Sequence, residues 1–180
     1  MRQWQVWAGI VLMMGLAGCE SIQRVADNFP GMSSEGTVGS TPADNTVKRQ
    51  VPFPAETYAA LPKTGTATIK GRLAYKLTSG QTAYGDHEKV SIAPATEYSA
   101  EAADKALAGQ RVEPADPRAQ AYTHMVTTDG NGYFTATGIP AGTFYVAGTV
   151  ALPEGRGRSP FILKQVRVKE GGSVNVDLSR

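Results

Sequence analysis

Several residue types are scarce in this chain of 180 residues, and each scarcity excludes a class of protein. A single cysteine excludes a disulfide framework and a cysteine-rich metal site. The two histidines argue against a multi-histidine catalytic metal centre. Lysine and arginine total 18 against 16 aspartates and glutamates, so the chain has neither the charge of a basic nucleic-acid binder nor that of an acidic tail.

Glycine and proline are frequent instead, at 20 and 11 residues, and they favour turns and strands over long helices. The length allows one domain of ordinary size with appendages. Three stretches differ in composition: an apolar N-terminal segment, a small and polar stretch, and, from residue 63, a region of alternating apolar and polar residues.

The N-terminal segment has the pattern of a targeting signal. Arg2 supplies a positive charge, and residues 8–16 form an apolar run too short to span a bilayer comfortably. The run ends in four residues that resemble the lipobox of bacterial lipoproteins, namely Leu16, Ala17, Gly18 and Cys19. The alternatives are an ordinary signal peptide with a chance cysteine and a short membrane anchor.

The lipobox resemblance implies a lipid-anchored protein of the bacterial cell envelope. Residues 1–18 would be the signal peptide, and Cys19 would become the lipidated first residue of the mature chain. Two or three acyl chains on that residue would anchor it stably, whereas one chain alone is marginal.

The residue after the cysteine bears on which membrane holds the protein. In enterobacterial lipoproteins an Asp after the cysteine favours the inner membrane. Glu20 is a weaker form of that signal, so we favour the outer membrane facing the periplasm, with the inner membrane as the alternative.

Residues 19–62 are predicted to form a flexible tether behind the lipidated cysteine. The stretch 31–45 is small, polar and without periodicity, so it cannot bury enough apolar surface to fold. Residues 51–61 are more apolar and leave two interpretations open. They belong to the tether, or they pack on the domain edge as an extended arm through Phe53, Tyr58 and Leu61.

Residues 63–180 form the predicted domain, and apolar residues there recur at every second position, as in half-buried strands. This alternation predicts seven strands, at residues 67–75, 90–92, 122–128, 133–137, 143–150, 161–169 and 173–178. Glu170, Gly171 and Gly172 predict a hairpin between the last two strands. The fold class is therefore predicted to be all-β, as a seven-stranded antiparallel β-sandwich.

One short helix is predicted as an insertion in this sandwich. Residues 100–108 are rich in good helix formers, with Ser99 as the N-cap and Gly109 at the C-terminal end. A helix of this length is not stable alone, so Ala103 and Leu107 are expected to dock on a sheet.

Residues 127–146 carry the pattern of a known family. Four residues match a T-D-x-x-G-x-F hairpin: Thr128, Asp129, Gly132 and Phe134. Six match a following G-[LI]-P-x-G-x-[FY]-x-V hairpin: Gly138, Ile139, Pro140, Gly142, Phe144 and Val146. The chain thus resembles the carboxypeptidase regulatory-like domains, whose fold is similar to that of transthyretin (prealbumin). The resemblance covers about residues 64–180 and departs from the family in the long 77–88 connection and the 100–108 helix.

The motif residues predict turns rather than chemistry. Asp129, Asn131 and Gly132 tolerate a left-handed backbone, and Pro140 and Gly142 shape the second turn. These roles are structural, so the resemblance implies a fold and stops short of an activity. A calcium loop starting at Asp129 is the weaker alternative, because the later acidic ligands are lacking.

Two other surface features are candidates for binding. Arg156 and Arg158 form a basic loop that could meet a phosphate, a lipid headgroup or a glycan carboxylate, with a plain flexible turn as the alternative. Tyrosines could form a sugar-stacking platform if several shared one face: Tyr75, Tyr84, Tyr98, Tyr122, Tyr133 and Tyr145. His87, flanked by acidic residues, and His124 fit a solvated loop and a strand better than they fit a catalytic site.

The sequence favours a binding or structural role over catalysis. It contains no Gly-x-Ser-x-Gly elbow and no terminal Tyr-Arg-Gly-Ser of the hydroxyisourate hydrolases, so we expect no enzyme, no cofactor and no metal. We expect a membrane-anchored envelope lipoprotein whose β-sandwich is a non-catalytic binding or structural module. Its expected partners are the membrane, through Cys19, and an envelope protein or glycan.

Two narrower functions remain open at this point. A glycan- or peptidoglycan-binding module would have clustered tyrosines and a groove on one sheet face. An accessory lipoprotein of a secretion or export complex, by analogy with transthyretin-like lipoproteins of type VI secretion, would have an exposed loop or edge strand that captures a protein.

Overall fold

The structure is a computed structural model that describes residues 46–180. The predicted signal peptide, the cleavage motif Leu16, Ala17 and Gly18, the lipidated Cys19 and most of the predicted tether lie outside the described residues.

The described chain has ten strands and three helices. The strands are β1 (Thr46–Val47), β2 (Ala67–Lys76), β3 (Thr82–Tyr84), β4 (Lys89–Pro94), β5 (Arg111–Val112), β6 (His124–Thr127), β7 (Tyr133–Ile139), β8 (Gly142–Gly148), β9 (Ile162–Val168) and β10 (Ser173–Ser179). The helices are α1 (Ala55–Ala59), α2 (Glu97–Leu107) and α3 (Pro117–Gln120), and a 3₁₀ turn covers Pro153–Gly155. Eight strands form two four-stranded sheets, and β1 pairs with β5.

Sheet one is built around β2, which has neighbours on both sides. β10 runs parallel to it, with Val176 opposite Gly71. β7 runs antiparallel along the other side, with Phe134 opposite the same glycine, and β3 pairs with β2 from Ala74 onward. Sheet two has the order β6-β4-β8-β9 and is antiparallel throughout.

The two sheets face each other across one hydrophobic core. Sheet one contributes Ile69, Leu73, Phe134, Ile139 and Leu178, and sheet two contributes Val90, Ile92, Phe144, Val146 and Ile162. Each of these is buried because alternate residues of a strand point to the same side. The predicted all-β sandwich is therefore confirmed, although the described chain has ten strands rather than seven.

Two strand pairings correct the prediction of a wholly antiparallel sandwich. β10 lies parallel to β2, and β1 lies parallel to β5. The predicted hairpin at residues 170–172 is also wrong, because β9 belongs to sheet two and β10 to sheet one. The turn carries the chain from one sheet to the other, so the last strand joins the first strand of the sandwich in the same direction.

The family-like motif also forms corners between sheets rather than hairpins within one. The turn at residues 129–132 connects β6 of sheet two to β7 of sheet one, and the turn at Pro140 leads back to β8 of sheet two. Glycine and asparagine in such turns fit both a hairpin and a corner, so the motif alone does not separate the two.

Helix α2 covers the outer face of sheet two. Its N-cap is Thr96 rather than Ser99, and Ser99 instead completes a capping box with Thr96. Ala103 packs on the sheet as predicted, against a small cluster with Ala93 and Ala147. The docking predicted for Leu107 is wrong, since this side chain is 48% exposed.

The segment 51–61 packs on the domain through an aromatic cluster, which we define as Phe53, Tyr58, Tyr98 and Tyr122. Tyr58 and Tyr98 are almost fully buried there. The segment does not form the extended arm considered above, because it contains the single-turn helix α1. The packed unit therefore includes residues 46–62, which the sequence places in the tether.

The prediction of one helix is also corrected, because α1 and α3 accompany α2. Each of the two is five residues or shorter, so neither shows a helical repeat in the sequence. Both are held by the aromatic cluster rather than by helix propensity. Among the described residues, no helix is both long and apolar enough to cross a membrane.

We predict that Gly71→Ala destabilises the sandwich. A Cβ at this position would meet the carbonyl oxygen of Val176 and lie 2.7 Å from the Phe134 ring. Overpacking of this kind costs about 1–3 kcal/mol, and urea denaturation should show that loss in the free energy of unfolding. The control is Gly130→Ala, where the nearest atom would lie at 3.5 Å. Equal stability of the two variants would contradict the packing described.

Candidate functional site

The outer face of sheet one is exposed, whereas the helix covers that of sheet two. Alternation along the strands of sheet one places one set of residues on this outer side. We call this set the open face, and it consists of Lys70, Arg72, Lys76, Tyr84, Tyr133, Thr135, Asn175 and Asp177. A shallow depression of about 450 Å³ lies over its centre.

The strand register brings residues that are distant in sequence into two rows on the open face. Arg72 on β2 is opposite Tyr133 on one side and Asp177 on the other. Lys70 is opposite Thr135 and Asn175 in the same way. Each row therefore joins three strands, with a cation at its centre.

Arg72 is held in place by two aromatic rings. Its guanidinium carbon lies 3.9 Å from the ring centre of Tyr84 and 4.6 Å from that of Tyr133. Its Nε atom donates a hydrogen bond to the backbone carbonyl of Asn131 at 2.9 Å. Each such cation–π contact contributes about 0.5–1 kcal/mol at an exposed site. The two rings are 43% and 53% exposed, so part of each stays accessible from solvent.

The remaining polar groups of the open face are not engaged by the fold. Within residues 46–180, the side chains of Lys70, Thr135, Asn175 and Asp177 make no hydrogen bond or ion pair with the protein. All four side chains are exposed, so their donors and acceptors can be offered to a ligand.

The six tyrosines do not form one platform. Tyr84 and Tyr133 share the open face. Tyr98 and Tyr122 belong to the aromatic cluster, while Tyr75 and Tyr145 pack partly buried against the sandwich and the helix. The sequence therefore predicts the residue type of the site but not which of its members meet.

A second depression, of about 240 Å³, lies beside the aromatic cluster, but its cations are already engaged. Arg118 lies 4.3 Å from the ring centre of Phe53 and forms an ion pair with Asp116 at 2.8 Å. The hydrogen bonds from Arg118 lower the pKa of Asp116 to about 2. Burial raises the pKa of Tyr58, which keeps its hydroxyl neutral. These contacts favour a structural role for this region.

The structure separates the two arginines of the predicted basic loop. Arg158 forms an ion pair with Glu88, and its Nε atom donates to the Thr149 hydroxyl at 2.8 Å. Glu88 also accepts a hydrogen bond from the backbone N–H of Ala151. Arg158 therefore fastens the loop to the domain, while Arg156 is exposed, with Glu154 at 4.0 Å.

The two histidines lie apart. His124 is on β6, where it pairs with Ile92 of β4, whereas His87 is in the turn before β4 and has a left-handed φ of 53°. His87 is exposed and contacts Asp86. In the described part of the chain, no group of three or more His, Cys, Asp or Glu is placed to hold a metal.

The family-like turn also supports the open face. The Asp129 carboxylate accepts hydrogen bonds from the backbone N–H groups of Asn131, at 2.8 Å, and Tyr133, at 2.9 Å. Gly132 adopts a left-handed φ of 83°. The turn thus fixes the position of the Asn131 carbonyl oxygen, which accepts the hydrogen bond from Arg72. Pro140 is buried in the second corner, and Gly142 begins β8.

Sequence reasoning missed six of the eight members of the open face, namely Lys70, Arg72, Lys76, Thr135, Asn175 and Asp177. Their outward positions in alternating strands were the available signal. That signal does not show which strands are neighbours, and β2, β7 and β10 come from distant parts of the chain.

We predict that His124 makes stability fall at mildly acidic pH. Burial lowers the pKa of His124 below its ordinary 6.5, and a backbone hydrogen bond with Lys63 offsets this only in part. The unfolded chain then binds the proton more readily, so the free energy of unfolding decreases as the pH drops below about 6.5. Urea denaturation at pH 7.5 and pH 5.5 should show a smaller loss for His124→Gln. His87→Gln removes an exposed histidine as the control, and an unchanged loss in His124→Gln would contradict the explanation.

A solved structure resembles this chain in both sequence and fold. No family model and no curated protein matches the chain. The crystal structure of PA1324 from Pseudomonas aeruginosa, a protein provisionally described as carbohydrate-binding, matches with 33% identity and a TM-score of 0.60. The match covers 71% of this chain and 97% of PA1324.

Two more distant structures bear on neither fold nor function. The major pilin subunit of Bacillus cereus has 10% identity and a TM-score of 0.33, over 63% of this chain and 30% of the pilin. A 9R-lipoxygenase from Cyanothece has 11% identity and a TM-score of 0.31, over 65% of this chain and 17% of the enzyme. The match to PA1324, by contrast, combines substantial identity with nearly complete coverage, and the chain therefore belongs to the same family as PA1324.

Proposed function

We propose that the chain is a non-catalytic carbohydrate-binding module and that a saccharide binds to the open face. The observation that carries the proposal is the stack of Tyr84, Arg72 and Tyr133, which lies among unengaged polar side chains. The family relation to PA1324, provisionally described as carbohydrate-binding, supports it.

The chemistry of the open face suits a saccharide. Sugar rings combine C–H patches, which pack on aromatic surfaces, with hydroxyls, which need hydrogen-bond partners. The exposed parts of Tyr84 and Tyr133 offer the first kind of contact, and Thr135, Asn175 and Asp177 offer the second. The depression is shallow, so an extended polysaccharide fits it better than a small molecule that needs enclosure.

The alternative of an accessory lipoprotein in a secretion complex has less support. That function calls for an edge strand or loop that captures a partner. β9 is an edge strand of sheet two, and it carries exposed Lys164 and Arg167, which discourage the addition of another strand. The basic loop is also a poor candidate for such capture, because Arg158 is already ion-paired with Glu88.

We also propose that the sandwich has the transthyretin-like topology of the carboxypeptidase regulatory-like domains. The support is the match of ten residues between Thr128 and Val146 to the two family motifs, together with a sandwich of two four-stranded sheets. Asp129 and Gly132 shape one corner, and Pro140 is buried in the other.

Membrane anchoring through Cys19 is the third part of the proposal, with the outer membrane facing the periplasm as the location. It rests on the lipobox-like residues of the N-terminal segment. A saccharide-binding domain held on a membrane would gain effective concentration toward glycans near that surface.

We predict that replacing both open-face tyrosines weakens polysaccharide binding. Aromatic contacts contribute about 0.5–1.5 kcal/mol each, so Tyr84→Ala with Tyr133→Ala should lower affinity by about fivefold or more. Affinity electrophoresis through gels containing neutral or acidic polysaccharides measures this as lost retardation. Leu107→Ala is the matched control, because it removes an equally exposed apolar side chain from the helix side.

The same gels also test the proposal as a whole. If a polysaccharide retards the wild type and the double tyrosine variant equally, the saccharide binds elsewhere on the domain. A wild type that no polysaccharide in the panel retards would overturn the proposed function.

We predict that Cys19→Ser prevents lipidation. Serine lacks the thiol that accepts the diacylglycerol, so labelled palmitate should enter the wild type and not the variant. The variant should also leave the membrane fraction after cell lysis. Equal labelling of the two proteins would contradict the assignment of Cys19 as the lipid attachment site.

A further inference from the structure

We infer that the open face selects saccharides that carry a carboxylate and that Arg72 binds this carboxylate through its two Nη atoms. The inference rests on the proposed carbohydrate-binding function and names the class of glycan. It concerns the chemistry of one side chain, so it can fail while the general function stands.

The contacts of Arg72 leave its outer donors free. Tyr84 and Tyr133 lie over the guanidinium, and its Nε–H is used by the carbonyl of Asn131. The four N–H groups on the Nη atoms have no partner among the described residues. A guanidinium with two free Nη groups has the geometry to donate one hydrogen bond to each oxygen of a carboxylate.

The same contacts lower the cost of binding an anion. An arginine on a free chain must lose rotamer freedom before it can hold two oxygens in a fixed geometry. Here two rings and one hydrogen bond already hold the side chain. The rings also displace water from the guanidinium, which strengthens its interaction with a negative charge.

The charge of the open face favours an acidic ligand. Lys70, Arg72 and Lys76 are the cations of this face, and Asp177 is its one acidic member. Asp129 lies nearby in the turn, but its carboxylate already accepts two backbone hydrogen bonds. The surface therefore attracts a ligand with negative charge, and Lys70 can meet a second acidic unit along the chain of sugars.

Asp177 limits how densely charged that ligand can be. It is opposite Arg72 on β10, about 4.8 Å away across the strands, and it forms no ion pair there. Its carboxylate can accept hydrogen bonds from sugar hydroxyls but repels a second anion beside the first. One carboxylate per sugar unit, as in a uronic acid, fits this arrangement better than a heavily sulfated polymer.

The test compares ligands that differ at the carboxyl group alone. Isothermal titration calorimetry of the full chain in detergent would use oligosaccharides of galacturonate, glucuronate and mannuronate. Each is compared with its carboxyl-reduced counterpart, which keeps the linkage and length but replaces the carboxylate with CH₂OH. A charge-assisted hydrogen bond contributes about 1.5–3 kcal/mol, so at least one uronate should bind about tenfold or more tightly than its reduced form.

Variants assign the selectivity to Arg72. Arg72→Gln should abolish the preference for the uronate, and Arg72→Lys, which keeps the charge but not the two-pronged geometry, should retain a small part of it. Arg167→Gln, which removes an exposed arginine from β9, is the matched control and should bind as the wild type does. If Arg72→Gln unfolds, as circular dichroism would show, Arg72→Lys carries the test.

Each outcome separates the inference from the proposed function. Equal affinity for uronates and their reduced forms would overturn the carboxylate selection and leave carbohydrate binding in place. Affinity for neither series, and for none of the gel polysaccharides, would overturn both. Dextran sulfate bound as tightly as the preferred uronate would show general attraction of polyanions and would also overturn the inference.

Discussion

The hydrogen bonding of β2 is the constraint on which the rest of the structure depends. Three strands pair with it, and they come from the middle and the end of the chain. Its alternation then serves two purposes at once, because Ile69 and Leu73 enter the core while Lys70 and Arg72 stay outside. A slip of one residue in register would exchange the two sets and bury two cations, so the core and the open face are fixed by the same ladder.

The outer faces of the two sheets differ, because a helix covers one and the other is open to solvent. On sheet two, small alanines let α2 approach closely, and a covered face of this kind stabilises the fold. On sheet one, no element of the described chain lies over the central polar rows.

The tyrosines divide in the same way between the covered side and the open face. The buried Tyr98 hydroxyl accepts a hydrogen bond from the backbone N–H of Asp116 at 2.8 Å and so completes the fold. Tyr84 and Tyr133 instead hold a cation at the surface.

The sequence was sufficient for the parts of the fold that depend on local periodicity. Strands such as β2 and β10 alternate clearly, and the alternation predicts both of them to within a few residues. The pairing of the last strand was mistaken, because two glycines after Glu170 suit a hairpin and a crossing between sheets equally well. A helix of a single turn carries no repeat, so the sequence does not predict α1, although it indicates that Phe53 and Tyr58 pack on the domain. The sequence predicts the candidate site only in part, because it offers Tyr84 and Tyr133 among six candidate tyrosines. It does not indicate Arg72, because the role of this residue depends on a cross-strand register that no local pattern contains.

The route by which the N-terminal segment enters the domain has a mechanical consequence. β1 pairs with β5, and Arg49 and Gln50 continue onto α2 through the Tyr98 carbonyl and the Glu101 carboxylate. The chain therefore arrives on the helix side, behind sheet two. A pull on the preceding residues would therefore act first on the β1–β5 pair and α2, and sheet one lies on the far side of the core. A domain held from this side presents the Arg72 stack outward, because the rows of the open face lie on the opposite sheet from the point where the chain enters.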